Sequence, residues 1–355
     1  MGNRKKILFV LMSGVGGAER MTITFAKQLD NTKYDVVFCV LESKNDNKIE
    51  VFIPNGYPII HIPFSFGLNP KVVWTFYKVL KKEKPDIVFS SLISINFRLL
   101  LLAPLFRDTK FVVRNNINLW SPSISRKQKA FMRMVYPRAE VVIAQTEEMK
   151  KEITDVLNIE DSKVVVIHNP IDTQTIDLKL KDYENFMDKD KTNYVSVCRF
   201  SKGKGLDILI KAFNEVCKHD PDSELYIVGR YDESSEYYQK VLELINNYAI
   251  TSHIHIVGFT DNPYRYMKNA DCFVLPSRSE GLPNALIEAQ YIGTPAAACT
   301  CVPVIERIVG DGKTGFLADV EDYDGLAKAM MKASKLGRIK SRYKPTPFDN
   351  FLELL

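Results

Sequence analysis

Short apolar runs alternate along the chain with stretches of helical period, a pattern that predicts alternating strands and helices in a parallel α/β arrangement. In the first half, strands are predicted over residues 6–12, 35–41, 86–90, 110–114, 141–145 and 163–167. Helices should lie between them, among them 17–29 and 125–136. Residues 169–192 are polar and charged and lack a period, so they read as a connection. A second alternation follows, with strands over 194–198, 224–229, 253–257 and 271–275. Its helices fall over 205–218, 236–248, 284–291 and 323–335. The predicted fold is therefore two doubly wound, Rossmann-like domains facing across a cleft, with ligands at the C-terminal ends of the strands. The boundaries follow: 1–170, a linker over 171–192, a second domain over 193–337, and a tail over 338–355 that returns to the first domain.

Length and composition agree with that division. A chain of 355 residues is too long for one ordinary core. A hydrophobic content of 46% with 26% charged residues is that of a soluble globular protein. No apolar run reaches the roughly 18–20 residues that span a bilayer; the longest, 99–106, contains Pro104 and reads as core. Residues 7–12 have strand length and no small-residue cleavage site, so they do not read as a signal peptide. The six cysteines have no C-x-x-C spacing and fall mostly in apolar runs, which suits reduced core residues of a cytoplasmic protein.

Charge is uneven. Residues 1–170 carry 25 basic against 16 acidic side chains, and within 71–138 the count is 14 against 3. Such a field suits an anionic membrane surface or a pyrophosphate-bearing acceptor. The helix over 125–136 mixes Arg126, Lys127, Lys129 and Arg133 with Phe131, Met132, Val135 and Tyr136. It reads either as a basic amphipathic surface on lipid or as a helix with its apolar side on the core. No aromatic–basic recognition motif accompanies the charge, so nucleic acid is not an expected partner.

The chemistry concentrates in residues 279–288, SEGLPNALIE. Glu280 falls on the loop after a buried strand, and Glu288 on the second turn of the helix that Pro283 opens. The free N–H groups of that helix start favour a phosphate or a developing negative charge. Two hydroxyl-seeking carboxylates around an anion-seeking helix end suit a sugar nucleotide.

Together with NADCFVLPS over 269–277 and GDGKTGFL over 310–317, EGLPNALIE resembles the signature of the retaining glycosyltransferases of family 4, which have the GT-B fold. On that resemblance Glu288 would bind the ribose hydroxyls and Glu280 the transferred sugar. The backbone of Gly281, Leu282, Pro283 and Asn284 would lie near the sugar hydroxyls and phosphate. CRFSKGKG over 198–205 resembles the family's Gly-Arg-Leu and Lys-Gly text. Arg199, Lys204 and Gly205 match it, and Cys198 stands where glycine is usual. Arg199 and Lys204 could neutralise a leaving diphosphate.

GVGGAER over 14–20 opens the first helix with Gly16 and Gly17 and resembles the family's acceptor-side loop. A dinucleotide fingerprint would need glycine where Glu19 stands, although Glu42 imitates the acidic ribose ligand of an NAD site. VRNNIN over 113–118 lies where many relatives place a histidine; Arg114 and Asn115 are the substitutes here. HNPID over 168–172 resembles the family's Asn-Gly-Val-Asp and marks the domain junction, while His253 and His255 read as structural.

The resemblance implies a metal-independent, cofactor-free hexosyltransferase that retains anomeric configuration. Its donor is taken as a UDP-sugar and its acceptor as a glycan, or a polyprenyl-diphosphate-linked glycan, of bacterial envelope or capsular polysaccharide synthesis. The enzyme would be cytoplasmic, peripheral on the inner face of the membrane. No Asp-x-Asp motif beside a strand end calls for a metal. Rival readings are a sugar-nucleotide epimerase on the same fold, an NAD-dependent oxidoreductase using Gly14–Gly17 and Glu42, and a catalytically silent binding subunit.

Overall fold

In the computed structural model the chain separates into two compact units, residues 1–170 with 345–355, and residues 171–344. The structure describes residues 4–14, 16–42, 49–63, 69–120, 124–181, 184–310, 312–341, 343, 349–352 and 355.

The first unit is built on a seven-stranded parallel sheet: β1 (Lys5–Met12), β2 (Tyr34–Glu42), β3 (Ile59–Pro63), β4 (Ile87–Ser90), β5 (Lys110–Arg114), β6 (Val141–Ala144) and β7 (Val164–Val166). Their order across the sheet is β3-β2-β1-β4-β5-β6-β7. Among the described residues this unit has the helices α1 (Gly17–Lys27), α2 (Pro70–Glu83), α3 (Ile93–Leu102), α4 (Arg126–Val135), α5 (Glu147–Leu157) and, near the C-terminus, a last short one. Successive side chains of a strand point to opposite faces, so both faces need cover, and the strand runs are apolar throughout. Leu8 and Val10 of β1 pack with Phe76, Leu99 and Met132 of the helices on one face. Ile7, Phe9 and Leu11 pack on the other with Ile23 and Phe25 of α1, and with Phe351 and Leu352 near the C-terminus.

The second unit has a six-stranded parallel sheet of β8 (Thr192–Val197), β9 (Ser223–Val228), β10 (Ile254–Gly258), β11 (Cys272–Leu275), β12 (Ala296–Cys299) and β13 (Gly315–Ala318). Its order is β10-β9-β8-β11-β12-β13. The helices are α6 (Thr173–Leu180), α7 (Leu206–His219), α8 (Glu236–Asn247), α9 (Tyr264–Asn269), α10 (Asn284–Ile292), α11 (Val304–Val309) and α12 (Tyr323–Ala333); α13 (Asp349–Leu352) is the C-terminal helix of the first unit. Leu209, Phe213 and Met330 of α7 and α12 cover one face. Met267, Leu286 and Ile305 of α9, α10 and α11 cover the other.

Several elements depart from the sequence expectations. Residues 173–180, expected within an irregular connection, form α6, capped by the Asp172 side chain on the Thr175 N–H at 3.1 Å. Only Ile176 of that helix is buried, which leaves almost no apolar period to read. Strands β3, β12 and β13 were not expected; β12 is Ala-Ala-Ala-Cys, and alanine has little intrinsic strand preference. Pro283 is the cap residue before α10, not its first helical residue. For α4 the packing is that of an ordinary helix: Met132 and Val135 turn inward, and Ser125 with Gln128 closes a capping box. All six cysteines are free, and among the described residues no helix is long and apolar enough to cross a membrane.

Candidate active site

In the second sheet the strand order reverses between β8 and β11, the place where open parallel sheets take ligands beyond the C-terminal ends of their strands. The chain leaving β8 carries Arg199 and Lys204, and the chain leaving β11 carries Ser277 and Glu280. Two motifs about eighty residues apart are thus brought to one switch point.

Backbone contacts hold these loops together. The Gly203 carbonyl accepts the Arg278 N–H at 2.8 Å and the Ser279 N–H at 3.3 Å. Arg278 Nη1 donates to the Lys202 carbonyl at 2.9 Å. Gly205 has φ +66°, and a Cβ there would stand 1.9 Å from the Pro276 carbonyl oxygen. Both the left-handed backbone and the close approach require glycine.

Within this frame Lys204 Nζ donates to both carboxylate oxygens of Glu280, each at 2.7 Å. The Ser277 hydroxyl donates to Glu280 Oε1 at 2.6 Å. Glu280 is 9% exposed, so its charge is fixed in direction as well as position. The neighbouring Cys198 and Cys301 thiols are each pushed by burial up to about 12, which keeps them neutral at physiological pH. Neither is a thiolate nucleophile. Arg199 is exposed and has no hydrogen-bond or ion-pair partner among the described residues.

Helix α10 begins just past Glu280. Pro283 lends it no side-chain cap. Leu282 and Pro283 are buried, Gly281 and Asn284 half-buried. The half-buried Glu288 lies one turn further along and accepts a long hydrogen bond from the Tyr264 hydroxyl at 3.5 Å.

A second ion pair buttresses the site and went unread in the sequence. Arg278 meets Asp207 through Nη1 at 2.7 Å and Nη2 at 2.9 Å, and its Nη2 also reaches Glu321 at 2.9 Å. Asp207 also accepts from Tyr237 at 2.7 Å. Burial alone would raise the Asp207 carboxyl, but the Arg278 and Tyr237 hydrogen bonds outweigh it and hold it at about 2. The sole trace in sequence is that Arg278 sits between two loop serines and Asp207 just past Gly205-Leu206.

The candidate residues of the first unit behave differently. Gly16 precedes α1 and Gly17 opens it, with no side-chain cap; Val15 between Gly14 and Gly16 lies outside the described residues. A Cβ on Gly16 would stand 2.3 Å from a Glu19 carboxylate oxygen. Arg114 and Asn115, expected to face an acceptor, are each 1% exposed. Arg114 donates to the Ser91 hydroxyl at 3.1 Å and to Asn169, with its guanidinium 5.6 Å from the Phe25 ring centroid. Asn115 donates to the Ile117 carbonyl at 2.8 Å, and its own carbonyl accepts from Gln145. Both are enclosed in the packing of β5. Glu42, the imitation of an NAD ribose ligand, pairs with His61 Nδ1 at 2.9 Å. His168 contacts the Gln145 carbonyl at 2.8 Å, His253 the Ser223 carbonyl at 3.2 Å, and His255 the Glu224 carboxylate at 2.7 Å.

Comparison with known proteins shows the family and the fold. The profile "Glycosyltransferase Family 4" matches residues 15–175, and "Glycosyl transferases group 1" matches residues 180–346. An uncharacterized glycosyltransferase of Methanocaldococcus jannaschii is 28% identical over 65% of this chain and 59% of its own length. A Campylobacter jejuni protein is 24% identical over 95% of this chain and 92% of its own; it is the N-acetylgalactosamine-N,N'-diacetylbacillosaminyl-diphospho-undecaprenol 4-alpha-N-acetylgalactosaminyltransferase. The crystal structure of Anabaena HepE in complex with UDP and glucose superposes with a TM-score of 0.79 at 18% identity, covering 99% of this chain and 95% of that one. With one profile on each sheet unit and near-complete structural overlap, the chain belongs to glycosyltransferase family 4 and is a glycosyltransferase of GT-B fold.

Proposed function

We propose that this enzyme transfers a hexose from a UDP-sugar to an acceptor hydroxyl with retention at the anomeric carbon. The observation that carries the reading is the buried Glu280 carboxylate, clamped by Lys204 and Ser277 beside the start of α10. A cation, an acceptor of hydroxyl protons and the N-terminal end of a helix then adjoin at one switch point. An activated sugar presents the complementary groups: a diphosphate and a ring of hydroxyls.

In this reading Arg199 and Lys204 bind the diphosphate and stabilise its charge as it leaves, the task a metal ion performs in other transferases. Glu280 accepts hydrogen bonds from the sugar hydroxyls and orients the anomeric carbon. The backbone of Gly281, Leu282, Pro283 and Asn284 lines the sugar and phosphate, and Glu288 binds the ribose hydroxyls. The bond from the anomeric carbon to the β-phosphate oxygen breaks as the acceptor oxygen bonds to that carbon on the same face. The acceptor proton passes to the departing phosphate oxygen, so no enzyme nucleophile is needed. UDP and the extended glycan are the products.

The acceptor we assign is a glycan carried on a polyprenyl diphosphate, in bacterial envelope or capsular polysaccharide synthesis. The Campylobacter jejuni relative, whose name specifies a diphospho-undecaprenol substrate, supports this. So does the basic charge of the first unit. The Gly16–Gly17 loop then lies on the acceptor side, and the enzyme works at the inner face of the cytoplasmic membrane. Arg114 and Asn115 act as supports of that region through β5.

Thermal unfolding against a panel of nucleoside-diphosphate sugars tests the donor. A UDP-sugar should raise the melting temperature by a few degrees at saturating concentration, as a ligand that binds only the folded state does. A protein stabilised by no sugar nucleotide would sink the reading.

A further inference from the structure

Helix α2 of the first unit turns Val72, Phe76 and Leu80 into the core. Among the described residues its next stripe does not find cover. Val73, Trp74 and Tyr77 of α2 line a groove of about 460 Å³ with Leu101, Leu105 and Phe131, and among the described residues no charged side chain enters its wall. Trp74 is 57% and Leu105 66% exposed at its lip. Single exposed apolar residues are ordinary, but two large ones at the mouth of a continuous apolar groove mark a surface that meets something.

The rim says what. The Trp74 and Tyr77 rings stack at 5.0 Å, within 9° of parallel. Lys78 Nζ lies 5.8 Å from the Trp74 ring centroid, and Lys81 Nζ lies 5.9 Å from that of Tyr77. Exposed Lys71 continues the same helix toward the groove's Pro70 end. Across the turn Ala103–Leu105 a second cavity, of about 210 Å³, bears Arg107 and Arg138, with Glu140 the one carboxylate in its wall among the described residues. Aromatic rings capped by ammonium groups beside an apolar slot reproduce the layering of a bilayer interface, with hydrocarbon below and anionic phosphate above. A second copy fits poorly, because twofold packing on this groove would set the same lysines against themselves.

We infer that this face docks on an anionic phospholipid bilayer, with Trp74 and Leu105 inserted among the upper acyl chains and Lys71, Lys78 and Lys81 on the lipid phosphates. The inference deepens the lipid-linked acceptor reading and rests on that reading only for its purpose, since it would bring the enzyme to the substrate's own membrane.

The chain has two tryptophans, so Trp120→Phe leaves Trp74 as the one indole reporter. The full chain carrying that change is titrated with phosphatidylcholine vesicles, with and without phosphatidylglycerol, and with bromine-labelled acyl chains. The expected result is a blue-shifted Trp74 emission quenched by the bromine labels, with partition at least about tenfold stronger to the anionic vesicles. Trp74→Ser with Leu105→Ser should lower partition about tenfold or more, and Lys78→Glu with Lys81→Glu should remove the preference for anionic lipid. Unchanged emission, equal binding to both vesicles, or a dimer that Trp74→Ser with Leu105→Ser dissolves would overturn the inference. UDP binding is measured in the same samples. If it persists without vesicle binding, the docking face falls and the transferase reading stands; the reverse pattern removes the donor reading and leaves the face.

Discussion

Lys204 and Glu280 are 76 residues apart in sequence, yet the Lys204 ammonium lies 2.7 Å from both carboxylate oxygens of Glu280. The pair exists because α7 starts where β8 ends, α10 follows β11, and β8 and β11 are neighbours in the sheet. Without a ligand each charge answers the other. With a sugar nucleotide between the loops, Lys204 gains a phosphate and Glu280 gains hydroxyls, so the pair is a site held ready by its own complementarity.

Glu280→Gln keeps the shape and the Ser277 contact but removes the charge. A hydrogen bond to a charged group contributes about 1.5–3 kcal/mol, so turnover should fall roughly ten- to a hundredfold. Glu288→Ala should instead raise the donor KM by a similar factor with a smaller change in kcat. Steady-state kinetics on both variants distinguish the two roles; unchanged constants in both would refute them.

Asp207 links the site to stability at low pH. Its folded carboxyl lies at about 2, below the ordinary 3.8, because the Arg278 and Tyr237 hydrogen bonds outweigh burial. The sign follows: the stabilisation is complete above the unfolded value and is lost as pH falls through about 2. That depression corresponds to roughly 2 kcal/mol. Asp207→Asn should lower the urea midpoint at neutral pH, and its stability should vary less than wild type between about pH 4 and 2. Parallel pH curves for the two proteins would contradict this.

Gly205→Ala tests the loop geometry. At φ +66°, with a Cβ 1.9 Å from the Pro276 oxygen, the substitution forces the β8 and β11 loops apart. We expect a loss of about 2 kcal/mol or more and a larger loss of activity than of stability. Gly203→Ala, with nothing within 4 Å of its Cβ, is the control and should be near neutral in urea unfolding.

Arg114 should prove a stability residue. Arg114→Ala removes the contacts with Ser91, Asn169 and Phe25 in a closed interior and should cost about 2–4 kcal/mol. Donor KM in the protein that remains folded should stay near wild type. A stable variant with lost turnover would return Arg114 to the acceptor site.

Much of the architecture is legible in the sequence, for identifiable reasons. Runs such as Ile7–Leu11 are buried on both faces and can only be interior strands, and Ser125 and Gln128 announce the start of α4. EGLPNALIE discloses the loop and helix that hold Glu280 and Glu288, because proline and glycine punctuate locally. What stays hidden depends on partners far along the chain. The alanines of β12 become a strand through β11 and β13, and α6 hides behind one buried side chain. Arg114 ends an apolar strand and reads as a substitute for the family's histidine; only folding brings Ser91 and Asn169 to enclose it. The Arg278–Asp207 buttress is unreadable for the same reason.

Calorimetric titration of UDP, GDP and dTDP into wild type and Lys204→Ala shows whether a diphosphate lies on the Lys204 ammonium. Whichever nucleoside diphosphate binds wild type, its Kd should be ten- to hundredfold weaker in Lys204→Ala, about 1.5–3 kcal/mol, with the fold intact. Equal affinity in the two proteins would mean that the diphosphate does not lie on Lys204, and the proposed site would be wrong.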